Sequence, residues 1–336
     1  MHLSVTHAAV RAAQQAALAS SEWIGKGEQK NADAAAVKAM RATLSQAPLQ
    51  GRVVIGEGER DQAPMLFIGE KIGHGGPEAP SVDIAVDPLE GTGLCANDAA
   101  GALTLIALAP AGTLLHAPDV YMDKVMVGPG GKGTVALDQS PEENVTCLAK
   151  RLGQPPSALT VAILERERHD DLIARVRGAG ARVRLIADGD VAAAILACVS
   201  GSGIHMVLGS GGAPEGVLAA CALKCLGGDM QARLLPKNDA QRQRCSRLTG
   251  LEDPTRTLRL EDLVRQEAVF AATGVNSGGL LPGVARQGDH DVMHTLLLST
   301  ADHQAQWLCC QHARNPAVSP TGAWLRSPFG AAPSSF

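Results

Sequence analysis

The sequence predicts an α/β protein, on three observations. Hydrophobic residues make up 45% of its 336 residues but aromatics only 2%. Its core must therefore be built from Ala, Val, Leu and Ile, as in sheets covered by helices. From about residue 156 apolar runs of strand length alternate with helical patterns, which implies crossover connections and a mostly parallel sheet. Ahead of that stretch two helical patterns precede short strands, so the first part reads as α+β. The length permits two domains, and the change of pattern divides the chain into 1–155 and 156–312, with a disordered tail at 313–336 rich in Pro, Ser, Gly and Ala.

Helical spacing of Ala9, Ala13, Ala16, Ala17 and Trp23 predicts a helix over 5–24, ended by Gly25 and Gly27. A second helix opens at Asp33 and runs through Ala36, Val37, Met40 and Leu44; an aspartate there is ordinarily an N-cap. Residues 52–56 form a strand ending in Glu57, Gly58 and Glu59, residues 62–72 suggest a helix, and the Gly/Pro cluster at 73–80 is a loop. The run from Asp83 to Val86 is a buried strand that Pro88 stops, since proline cannot donate to a ladder. Apolar runs at 102–109 and 113–117, split by Pro110, Ala111 and Gly112, read as a β-hairpin. Tyr121, the sole tyrosine, follows; such a residue is usually half-buried packing with a wet hydroxyl, and near an acidic turn it could bond a phosphate.

Strands are then expected at 160–165, 182–187 and 204–209 and helices at 170–178, 190–199 and 215–226. Their turns carry Arg166 and Arg168, then Asp188, Gly189 and Asp190, then Gly211, Gly212 and Glu215. By the rule that ligands gather at strand ends, these three turns should line one crevice. Helices at 238–248 and 259–266 are followed by strands at 268–275, 294–300 and 303–310, which the pattern allows to add to either sheet.

The chemistry concentrates at Asp87, Pro88, Leu89, Glu90, Gly91 and Thr92. Asp87 and Glu90 lie across a tight turn and can converge on one hard cation, while Gly91 lets the backbone approach a ligand. Two carboxylates, a hydroxyl and free N–H groups at a helix start are what metal-assisted phosphate-ester hydrolysis requires. A capped strand-to-helix turn is the bland alternative. Net charge is −4, with no Lys/Arg run suited to nucleic acid. No run of 18 apolar residues suits a membrane span, and the eight scattered cysteines read as reduced core residues of a cytoplasmic protein. Cys221 and Cys225, one helical turn apart, could suit a redox pair but are more often packing.

Longer strings narrow the reading: G-K-G-x-x-K-N-A-D at 25–33, V-V-I-G-E-G-E-R-D-x-A-P-M-L at 53–66, V-D-I-A-V-D-P-L-E-G-T at 82–92, A-P-D-V-Y-M at 117–122, D-G-D-V-A-A-A-I at 188–195 and G-G-A-P-E-G-V at 211–217. In this order they resemble the class II fructose-1,6-bisphosphatases of the lithium-sensitive sugar phosphatase superfamily. G-T-G-L-C-A-N at 91–97 resembles forms that also hydrolyse sedoheptulose bisphosphate. The resemblance implies a layered sugar-phosphatase fold, a metal-binding first domain and a substrate-binding second domain. It implies hydrolysis of the 1-phosphate of fructose 1,6-bisphosphate by a metal-bound water, in gluconeogenesis or the Calvin cycle. Mg²⁺ or Mn²⁺ would be held by Asp33, Glu57, Asp87, Glu90 and Glu215, with Thr92 and Glu57 catalytic. Substrate would meet Glu90, Gly91, Thr92, Tyr121, Arg166, Arg168, Asp188, Gly189, Asp190 and Gly212. The partner is a small sugar bisphosphate, and a homo-oligomer is expected. An inositol monophosphatase-like enzyme and a silent sugar-phosphate-binding regulator are the alternatives. Two positions depart from many relatives: Gln29 stands where lysine is common, with Lys30 beside it, and Glu167 interrupts the pattern before Arg168.

Overall fold

The computed structural model describes residues 2–58, 65–301 and 305–314. In chain order its elements are α1 (Leu3–Ser21), α2 (Gln29–Ser45), β1 (Gln50–Ile55), β2 (Lys71–Ile72), β3 (Ser81–Glu90), α3 (Thr92–Ala96), β4 (Leu103–Pro110), β5 (Tyr121–Val127) and α4 (Pro141–Leu152). Then come β6 (Thr160–Leu164), α5 (Asp170–Gly178), β7 (Arg182–Ile186), α6 (Val191–Cys198), β8 (Met206–Gly212), α7 (Ala213–Leu226), β9 (Asp229–Leu235) and α8 (Asp239–Thr249). The last are β10 (Leu258–Arg259), α9 (Leu260–Leu263), β11 (Val269–Gly274), β12 (Ala285–Gln287), β13 (His290–Ser299) and β14 (Ala305–Ala313).

Two sheets and three helical layers alternate. The first sheet runs β12-β13-β11-β4-β3-β1-β2, with β14 added on β13, and the second runs β10-β9-β5-β8-β6-β7. Strand alternation assigns each face to a layer. Ile84 and Val86 of β3 pack in the outer core with the alanines of α1 and with α2, while Ala85 between them joins the central core. In the second sheet Met122 and Met126 face the central core, and Val125 and Val127 face α4 and α5. Helix α7 lies between the sheets and touches strands of both. It is buried nearly all round, as a helix with apolar residues on every face must be. Small alanines on α1 and α7 let these helices approach the sheets closely without aromatic filling. Among the described residues no helix is long and apolar enough to cross a membrane.

The α/β class and the alternation after residue 156 hold, and several details differ. The second sheet is mixed, because β6 runs parallel to β7 and β8 whereas β5 is antiparallel to β8 and β9. The sheets do not divide the chain near residue 155: β5 sits inside the second sheet, and β11 to β14 return to the first. The expected hairpin is not made. Leu114 bridges instead to Val264, and Asp83 accepts from the amides of Thr113 and Leu114 at 2.9 and 3.1 Å, turning the chain away from β4. Pro88 does not stop its strand: β3 continues to Glu90 through a register shift between Asp87 and Glu90, a bulge that tolerates proline's missing donor. Within the expected helix 62–72, residues 62–64 lie outside the described residues and Lys71–Ile72 is a strand paired with β1. The helix expected at 259–266 is the single turn α9. Helix α4 was not anticipated although Ser140 and Glu143 form a full capping box at its start. Ala313, the first residue of the expected tail, is instead the last residue of β14, and 315–336 lie outside the described residues.

Candidate active site

One cavity of about 350 Å³ gathers acidic residues from six segments of the chain. β1 and β3 are parallel neighbours with Ile55 opposite Ala85, so Glu57 and Asp87, each two residues further on, emerge at the same end of the sheet. Glu90 follows on the bulged end of β3 and is buried. Gly91, in the left-handed region at φ 82°, turns the chain so that Thr92 opens α3. Asp33 comes from α2. That helix starts at Gln29 with Glu28 at its N-cap position, so Asp33 is not a cap but a residue of the second turn facing the cavity. Asp188 and Gly189 enter from the turn between β7 and α6, and Glu215 from the first turn of α7. The partly positive N-terminus of that buried helix favours acidic groups there.

Packing Asp33, Glu57, Asp87, Glu90 and Glu215 together makes their charged forms costlier to hold. Burial, reinforced by Asp33, raises the Glu57 pKa to about 7. Burial, with Asp190 and Glu215 nearby, raises Glu90 to about 8. Asp87 is pushed up by burial and then by Glu90, Glu215, Glu57 and Asp33, and burial also raises Asp33 and Glu215. Among the described residues no three acidic, His or Cys side chains already stand in a ligating arrangement. Buried Glu90 Oε1 and Glu215 Oε2 nevertheless have no hydrogen-bond partner, an arrangement that costs free energy unless something satisfies them. An all-oxygen donor set with orphaned, mutually repelling carboxylates fits a hard divalent cation.

Of the remaining expected residues Gly189 lines the cavity, whereas Gly212, Arg166, Arg168, Tyr121 and Asp190 are not among its lining residues. Gly189 and Gly212 act by having no side chain: a Cβ on Gly189 would stand 2.6 Å from Glu90 Oε1, and one on Gly212 would collide with Glu215 Oε2. Arg166 donates to Asp188 at 3.2 Å and to the Ala187 carbonyl at 2.7 Å, bracing the cavity wall. Arg168 donates to Ser210 Oγ at 3.0 Å and to the Ser210 carbonyl at 2.8 Å, and its guanidinium lies 4.8 Å from the centre of the Tyr121 ring. Asp190 is buried against Lys124.

Three residues that sequence reasoning passed over join this group. Asp119 lines the cavity, and it sits in the quoted string A-P-D-V-Y-M. Lys237 lies 5.2 Å from the Tyr121 ring centre. Lys124 is paired with Asp190 and donates to the Gly212 carbonyl at 3.2 Å.

Residues 3–312 match the family model of bacterial fructose-1,6-bisphosphatase, glpX-encoded. The D-fructose 1,6-bisphosphatase class 2/sedoheptulose 1,7-bisphosphatase of Synechococcus sp. strain JA-3-3Ab is 42% identical over 330 residues, covering 91% of this chain and 94% of that protein. Fructose-1,6-bisphosphatase 1 class 2 of Escherichia coli strain K12 is 45% identical over 302 residues, covering 86% and 89%. Among solved structures, the extragenic suppressor protein suhB from Bartonella henselae aligns over 59% of this chain and 74% of its own at 17% identity, with a TM-score of 0.32. The match over almost the whole chain, at this level of identity, means that the chain belongs to the bacterial class 2 fructose-1,6-bisphosphatase family.

Proposed function

We propose that this enzyme hydrolyses the 1-phosphate ester of fructose 1,6-bisphosphate to give fructose 6-phosphate, and that sedoheptulose 1,7-bisphosphate is a second substrate of the same site. The observation that carries the reading is the convergence of Asp33, Glu57, Asp87, Glu90 and Glu215 with Thr92 on one cavity. Mg²⁺ or Mn²⁺ held by those five carboxylates would offset their charge, admit the anionic ester and polarise its phosphorus.

The chain's own groups supply positioning and proton movement. Thr92 orients the attacking water with its hydroxyl and passes the proton towards Glu57, a carboxylate lining the same cavity that serves as the base. Asp188, held by Arg166, accepts from a sugar hydroxyl. Arg168 and Lys237, flanking Tyr121, receive the distal phosphate by charge-assisted bonds. Direct attack by water needs no covalent phosphoenzyme. Free thiols throughout the described residues suit the reducing cytoplasm that we assign to the enzyme.

Phosphate release by purified protein, with Mg²⁺ or Mn²⁺, from both bisphosphates and from inositol 1-phosphate tests the proposal. The bisphosphates are expected to be cleaved with the higher kcat/KM. Equal or better cleavage of the inositol ester would transfer the enzyme to the inositol phosphatase reading, and no release from any ester would leave a binding protein.

A further inference from the structure

A second cavity, of about 480 Å³, opens at the opposite ends of the strands that carry the active site. Its walls are the first residues of β1 and β3, strand β2 and the turn after β4. Its electrostatics are the reverse of the active site's. Among the described residues the active-site cavity is lined by seven carboxylates and by no Lys, Arg or His. The second is lined by Arg52, Lys71 and His116, with Asp83 as its single acidic residue.

Arg52 and Lys71 are direct register partners on antiparallel strands, a placement in which like charges repel and cost stability. Neither has an ion-pair or hydrogen-bond partner among the described residues. Asp83 does not relieve them, because it is buried and its Oδ2 is engaged by the amides of Thr113 and Leu114. Burial holds His116 below the usual imidazole range, so near neutral pH it offers a neutral N–H. Ser81 adds a hydroxyl. Two unpaired cations, a neutral donor and a hydroxyl around a concave volume of ligand size suit a compact dianion.

We propose that this cavity is a second ligand site that binds a phosphate dianion, free or as the monoester of a small metabolite, through Arg52 and Lys71. The site rests on the same two strands as the catalytic groups. Arg52 precedes Glu57 by five residues and Asp83 precedes Asp87 by four, spans of roughly 17 and 13 Å in extended chain. The two cavities are therefore separate, and one ligand does not fill both.

Calorimetric titration of protein kept in EDTA and carrying Arg168→Ala and Lys237→Ala isolates the second site, since the acidic cavity stripped of cations repels phosphates and the cations beside Tyr121 are gone. The probes are inorganic phosphate and glycerol 3-phosphate. Saturable binding at one site per chain is expected, weakened about tenfold or more by Arg52→Gln or Lys71→Gln and unchanged by Asp87→Asn. Tighter binding of glycerol 3-phosphate assigns the site to a monoester, and equal or weaker binding assigns it to free phosphate. Because the two cations repel each other, each Gln variant should melt no lower than the parent, which separates lost binding from lost folding. Absence of saturable binding by either probe, unchanged affinity in the two Gln variants, or loss in Asp87→Asn would overturn the proposal.

Discussion

Lys124 and Asp190 form an ion pair in which both side chains are almost wholly buried, with Lys124 only 1% exposed. The ammonium also donates to the Gly212 carbonyl, and its charge opposes the raised pKa of Glu215. It is thus the cation that lets Asp190 and Glu215 coexist beside Glu90. Lys124→Met should cost about 3–5 kcal/mol, the penalty for leaving one partner of a buried pair uncompensated. Lys124→Met with Asp190→Leu should recover much of that loss. Urea midpoints for the single and double variants check this, and a single variant as stable as the parent would show that the pair is dispensable.

Gly189 is left-handed at φ 60° and faces Glu90 at a distance that admits no Cβ. Gly189→Ala should therefore act twice, through backbone strain of about 1–2 kcal/mol and through displacement of the Glu90 carboxylate. Activity at saturating substrate is expected to fall about tenfold or more, with a higher Mg²⁺ concentration needed for half-activation. Gly180→Ala, also left-handed but 3.7 Å from its nearest neighbour, Pro156 Cβ, serves as the control. It should share the strain and keep the Mg²⁺ requirement.

The cavity carboxylates make the metal-free protein sensitive to alkali. Glu57 and Glu90 titrate near 7 and 8 in the fold and near their ordinary value of 4.5 when unfolded. Between those limits the folded state binds more protons than the unfolded state, so stability falls as pH rises. The penalty is absent below pH 4.5, grows from there and is complete once pH exceeds about 8. In EDTA the melting temperature should fall from pH 6 to pH 8.5, and the gain conferred by Mg²⁺ or Mn²⁺ should widen over the same range. A metal-induced gain that narrows with rising pH would mean that these carboxylates do not bind the ion.

What could be read from the sequence was whatever is local. The strand-end carboxylates announce themselves because acidic residues and glycine interrupt apolar runs within a few residues, and the alternation of the second half is a periodic signal. Asp33 could not be separated from a cap by spacing alone; it took the helix starting at Gln29, four residues earlier, to turn it towards the cavity. Lys124 was illegible for a different reason. A lone lysine in an apolar strand reads as a solvated edge, and only the pairing of β5 with β8 and β9 shows that it lies inside a sheet opposite Asp190. The failed hairpin is non-local too, because Leu114 finds Val264 some 150 residues away. The capping box at Ser140 was, by contrast, readable and unread.

Arg166 and Arg168 lie two residues apart and face different tasks, which predicts different kinetic signatures. Arg166 is tied to Asp188 and to two carbonyls, so its loss should loosen a wall that, on the proposed function, every sugar ester would meet. Arg168 spends two donors on Ser210 and stacks on Tyr121. Tyr121 is 40% exposed and is flanked by Lys237 as well. Arg168 and Lys237 thus make a cationic rim beside the acidic cavity, where a second phosphate would rest while the first is cleaved. Arg168→Ala should raise KM for fructose 1,6-bisphosphate roughly ten- to a hundredfold, from the 1.5 to 3 kcal/mol typical of a charged hydrogen bond. It should change kcat little, because that contact is made equally in ground and transition states. Fructose 1-phosphate lacks the distal group and should be nearly indifferent to Arg168→Ala and to Lys237→Ala, whereas Arg166→Ala should slow both esters. Sedoheptulose 1,7-bisphosphate lengthens the span to the rim by one carbon, which the flexible lysine can follow more readily than the stacked arginine, so Lys237→Ala should harm it more than it harms the fructose ester. Steady-state kinetics of the three variants on the three esters check the assignment. A fall in fructose 1-phosphate cleavage by Arg168→Ala as large as that for the bisphosphate would place Arg168 with the reacting phosphate instead.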